Sequence, residues 1–367
     1  MNTASSALAI NAGLQAFPAL LRVPPAECAG DLWSELQELA AEAAEALGGD
    51  LVAVLWSGDN GPAEASLMQG DGSEPLCGHA HLFLVTASNN PRGMEKLPHL
   101  ARRYEHRLRM AVDFSRPITP AMISRWPARL LWQQLALDHR VLYGPADVLT
   151  SRVPQHVLDP LPTLEATRLL LNNGAGLIGA ARMSAGRDAA GDAILIARLY
   201  YNCAQSLADA LLLGCQRFCV DPARKRTHLM DIARFEPIVD QSGAVEHLRR
   251  ACAFRNSVQS EFAISHQHLR EMAQDWQRVF LWIESVRLGL HFQDLEQYAA
   301  GSGRRVILDT PLLSGFLANL RRRRLGWVHP SERLFRMLAV AVSDLACDKA
   351  RFPITADAAL EQWRDAN

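Results

Sequence analysis

Three prolines, Pro154, Pro160 and Pro162, separate two stretches of this chain that follow different apolar periodicities. Before them, apolar residues come in short runs: Leu51 to Trp56, His81 to Thr86, and an alternating run from Leu108 to Phe114. Runs this short, bounded by Gly, Asp, Asn and Ser, are strand-sized. After them, apolar residues recur every three or four positions over long stretches, which is helical spacing. Helices are expected from Thr163 to about Met183, Gly191 to Phe218, Ala244 to Ser257, His266 to Leu288, Thr310 to Arg323 and Glu332 to Lys349, with a short amphipathic tail from Ala356. Strands followed by helices predict an α+β fold: a mixed β-sheet domain with flanking helices over residues 31–158, then an all-α domain over 159–367, with residues 1–30 as an N-terminal extension.

The first half carries helices of its own. Leu32, Leu36, Leu39 and Ala43 share one face of a helix that Asp31 can cap and that Gly48-Gly49 stops. A second helix is expected from Leu97 to Arg107. In the strand from Leu108 to Phe114, alternation puts Leu108, Met110, Val112 and Phe114 on one face and Arg109, Ala111 and Asp113 on the other. Leu130 to Leu137 and Val141 to Tyr143 are further short apolar segments.

Composition narrows the function classes. The chain has 367 residues, 49% hydrophobic and 21% charged, the balance of a soluble globular protein. A formal net charge of -1 gives no general attraction to nucleic acid or to an anionic membrane. No apolar run is long enough to span a bilayer. Seven cysteines without a CxxC pair point to reduced thiols in a cytoplasmic setting rather than a disulfide framework.

The candidate chemistry gathers at two strand ends. Leu51 to Trp56 runs into Ser57-Gly58-Asp59-Asn60-Gly61, where Ser57, Gly58, Asn60 and Gly61 could expose backbone N–H groups to a phosphate. The next strand begins Cys77-Gly78-His79-Ala80-His81. His79 and His81, two apart, point to the same side, and Asp113 could lie across from them on a neighbouring strand. Two histidines and a carboxylate suit a transition metal better than magnesium, which prefers hard oxygen ligands. Two polar residues left at a strand end explain the same pattern without a metal. Elsewhere, Cys215 and Cys219 are expected on one helix face as core thiols, His266-Gln267-His268 as a solvated helix start, and Trp276 with Phe280 as packing residues. Arg321 to Arg324 reads as a solvated helix end.

The order of these parts resembles the DNA polymerase β-type nucleotidyltransferase superfamily, and within it bacterial nucleotidyltransferase-like proteins of unassigned reaction. The resemblance rests on the Ser57-Gly58 turn, Glu64 in the following loop, Gly78-His79-Ala80-His81-Leu82, Asp113, Val141-Leu142-Tyr143-Gly144 with Asp147, Glu165-Ala166-Thr167-Arg168-Leu169-Leu170-Leu171-Asn172 and the helical second half. It spans about Asp31 to Arg226. The chain departs from the family in three places. Ser57-Gly58 stands where the turn is usually Gly-Ser or Gly-Gly. His79 and His81 stand where an Asp-x-Asp pair holds the metal ions. Asn173 stands where relatives tend to have arginine.

The resemblance implies an N-terminal nucleotidyltransferase-like sheet domain and, given the two histidines, a degenerate site. The expectation is a pseudoenzyme that binds a nucleotide, nucleotide-sugar or phosphate, or that serves as a scaffold for an active paralogue or a carbohydrate-assembly enzyme. One alternative is an active transferase with Asp113 as the catalytic acid and a magnesium or transition-metal ion on His79, His81 and Asp113. Another is an interaction protein whose helical half forms a homo-oligomer.

Overall fold

A computed structural model describes residues 32–57, 79–108, 110–186, 193–256, 263–300 and 330–366. It is α+β. Four strands form one mixed sheet: β1 (Leu51–Ser57), β2 (His79–Thr86), β3 (Ala111–Phe114) and β4 (Arg140–Tyr143), in the order β3-β2-β1-β4. β1 runs antiparallel to both β2 and β4, whereas β2 and β3 are parallel. The parallel pair needs a crossover, which the chain supplies with helix α2 (Leu97–Leu108).

Both faces of the sheet are covered, so its central strands are apolar on both sides. On one face Val54, Trp56, Ala80, Leu82, Leu84 and Val112 pack under α1 (Leu32–Leu47) and α2. Helix α1 does this with Leu36, Leu39, Ala40, Ala43 and Leu47, a spacing that returns to one side every turn. On the other face Ala53, Leu55, Phe83 and Val85 meet residues that follow β3, among them Ile118, Ile123 of α3 (Pro120–Ile123), Trp126 and Leu135 of α4 (Leu130–Leu137), and Val157 of α5 (Gln155–Leu158).

The remaining helices share one large apolar core: α6 (Leu164–Ser184), α7 (Ala193–Gly214), α8 (Pro222–Ala233), α9 (Ile238–Gln241), α10 (Ala244–Asn256), α11 (His266–Leu288), α12 (Leu295–Ala300), α13 (Pro330–Ala346) and α14 (Phe352–Ala366). Trp276 and Phe280 stack inside it at 4.6 Å between ring centroids. The Trp276 Nε1–H donates to the Leu170 carbonyl at 2.7 Å. Gly174 makes room for that indole, because a Cβ there would stand 3.1 Å from three of its ring atoms.

Helix α4 ties the sheet to this core. Its Leu130 belongs to the helical core and its Leu135 to the sheet core. The buried Glu165 carboxylate accepts from Arg129 at 2.7 Å, from the Leu130 backbone N–H at 2.9 Å and from Arg168 at 2.6 Å. Gln133 donates to the carbonyls of Val157 and Asp159.

Three sequence expectations change. Leu108 closes α2, and β3 begins only at Ala111. Helix α7 ends at Gly214, not at Phe218, so Cys215 and Cys219 do not share a helix face; the Cys219 thiol lies 3.8 Å from His228 Nδ1 instead. Helix α8 was not expected; Asp221 caps it and Pro222 takes its first turn. Asp31, the helix expected from Thr310 to Arg323, and Arg321 to Arg324 lie outside the described residues.

Candidate functional site

Strand register assembles the site. Ser57 pairs with His81 across β1 and β2, and His81 pairs with Asp113 across β2 and β3. The three residues therefore form a polar row across the end of the sheet. The row lies on the face of Leu55 and Phe83, because side chains alternate along each strand. His79 is two residues before His81 on the same strand, so its backbone places it on the same face; its side chain is outside the described set, as are Gly58, Asn60, Gly61, Glu64 and Cys77.

Each member of the row has a distinct environment. Ser57 is buried, and its hydroxyl donates to the Asp138 carbonyl at 2.6 Å, just past the end of α4. The hydroxyl proton is thus committed, and the oxygen offers lone pairs only. The His81 ring stacks on Phe83, with 4.4 Å between centroids and planes 6° apart. Burial pushes the Asp113 carboxyl up to about 6, since the charged form loses solvation. A hydrogen bond from the Phe114 backbone lowers it, and the nearby Glu105 charge raises it. Among the described residues, Asp113 Oδ2 is buried with no hydrogen-bond partner.

Sequence reasoning missed His139, which follows the Asp138 whose carbonyl accepts from Ser57. Trp56 pairs with Arg140 in the antiparallel β1–β4 ladder. His139 immediately precedes β4, just beyond this last β1–β4 pair. Burial lowers the His139 pKa, while the carbonyls of Leu135 and Ala136 at the end of α4 lie beside the ring and raise it. The available signal was Asp138-His139-Arg140 immediately before the apolar Val141-Leu142, a polar run at a strand entry.

The row bears on the metal expectation. His81 and Asp113 are neighbours, while the side chain of the third expected ligand, His79, lies outside the described residues; among those described, no group of three His, Cys, Asp or Glu side chains is placed to hold a metal ion. The row contributes one carboxylate, a poor match for magnesium, which takes hard oxygen ligands in an octahedron.

Of the other candidates, the His266-Gln267-His268 start of α11 is a capping box: Ser265 Oγ accepts from the His268 backbone, and His268 Nδ1 accepts from the Ser265 backbone. It serves the helix. Among the described residues, no helix is long and apolar enough to cross a membrane. No protein-family model, curated protein or solved structure matches this chain.

Proposed function

We propose that the chain is a nucleotidyltransferase-like protein that has lost its phosphoryl-transfer chemistry and keeps a ligand-binding role. One observation carries the reading: the register Ser57–His81–Asp113 lines up three residues that the resemblance assigns to the family's turn, metal-binding pair and third acid. Imidazoles at the metal-binding positions take away the negative charge that would hold magnesium and neutralise a pentavalent phosphorus centre. Binding does not need that charge, so a nucleotide or nucleotide-sugar can be held without turnover.

Nucleotide addition should therefore raise the melting temperature equally with and without magnesium, because ligand binding to the folded state alone stabilises it. Pyrophosphate release should stay at background. Magnesium-dependent pyrophosphate release by the purified chain would end this reading.

A further inference from the structure

In the row across the sheet end, Ser57 and Asp113 present hydrogen-bond acceptors, and His81 between them carries a ring N–H. Ser57 has committed its proton to Asp138 and keeps only lone pairs. Asp113 contributes a carboxylate, and its Oδ2 is buried without a donor among the described residues. Among the described residues, no lysine or arginine belongs to the row. An anion brought to such a surface meets lone pairs and a negative charge. A cationic donor meets partners.

A buried carboxylate oxygen without a donor is costly, and natural structures nearly always satisfy such groups. The cost falls when a ligand supplies the missing N–H, and it falls furthest when the donor carries positive charge. We propose that the row binds a protonated amino group of a small molecule, with Asp113 accepting the charged hydrogen bond. The inference rests on the reading of this row as the ligand-facing part of the site, and it adds the chemical class of group that reaches it. In a nucleotide-binding protein, that group belongs to an amino-bearing co-ligand; the phosphates need a different surface.

The test uses the full chain and matched probes that differ by one functional group: glucosamine against glucose, and putrescine against 1,4-butanediol. Binding is read by calorimetry at physiological salt, with a nucleotide melting assay on the same preparation. At least one amine should bind with its hydroxyl counterpart silent. Asp113→Asn, which keeps the shape and removes the charge, should weaken that amine by about tenfold or more, the size of one charged hydrogen bond. Equal binding of amine and hydroxyl, silence of both amines, or full affinity in a folded Asp113→Asn would each overturn the inference. The amine–hydroxyl comparison is made on the unaltered chain, so it decides the matter even if the variant does not fold. Amine binding without a nucleotide effect would remove the nucleotide reading and leave the amine site standing. A nucleotide effect without amine discrimination would remove only this inference.

Discussion

Asp113 carries an energetic cost that depends on pH. Its carboxyl is pushed up to about 6, against an ordinary 3.8, so the folded chain holds the proton more tightly than the unfolded chain does. An acid whose pKa rises on folding subtracts stability as it ionises. The subtraction begins near pH 4 and is complete above about pH 6, the window between those two values. Asp113→Asn should therefore be more stable than the parent above that window, by about 1–2 kcal/mol once the solvent around a half-buried group is allowed for. Below about pH 4 the two should converge, and chemical denaturation across this range measures the difference. Ser57→Ala behaves differently: it strands a carbonyl at the end of α4 and should cost about 1–2 kcal/mol at any pH. At this scale the sequence was readable where strand alternation alone sets the side, as for His81 and Asp113. His139 was unreadable because its place depends on the register of β4 against β1, a pairing between segments far apart in the chain.

Elements were most legible where one local signal decides them. Helix α11 runs from His266 to Leu288, the span that its periodicity predicts. Helix α1 follows its apolar stripe to Leu47. The start of β3 was misplaced because Leu108, Met110 and Val112 alternate as a strand would, although Leu108 is buried as the last residue of α2. The end of α7 was misplaced because apolar residues continue past Gly214, while Gln216 adopts a left-handed backbone at φ 56° that stops the helix. Asp221-Pro222 carries a helix-start signal in the sequence, an acidic cap followed by proline in the first turn. One glycine sets the geometry of β4. Gly144 sits at φ +97°, and a Cβ there would lie 2.3 Å from the Val52 carbonyl oxygen. Gly144→Ala combines backbone strain with a clash against β1, so a loss of about 3 kcal/mol is expected in equilibrium unfolding. Gly49→Ala, which meets nothing within 4 Å, is the matched control.

For the whole molecule the sequence conveyed the change from strands to helices at the proline-rich stretch, and with it the α+β class. It did not convey how the two parts join, because that depends on Glu165 meeting Arg129 and Leu130 across a gap in sequence that no periodicity encodes. Glu165→Ala removes the acceptor for two guanidinium groups and one helix-start N–H together. The expected loss is about 3 kcal/mol, since breaking a buried pair leaves its partners uncompensated. Far-ultraviolet circular dichroism during heating should show one transition in the parent and a lower one in the variant; an unchanged midpoint would remove Glu165 as a tether. The division of Leu130 and Leu135 between two apolar bodies has a mechanical consequence. A jaw-like swing of the bundle over the sheet would have to drag α4 out of one of them, exposing its leucines to water. The sheet and the bundle are thereby bolted together through one short helix, whose two ends are anchored in different bodies.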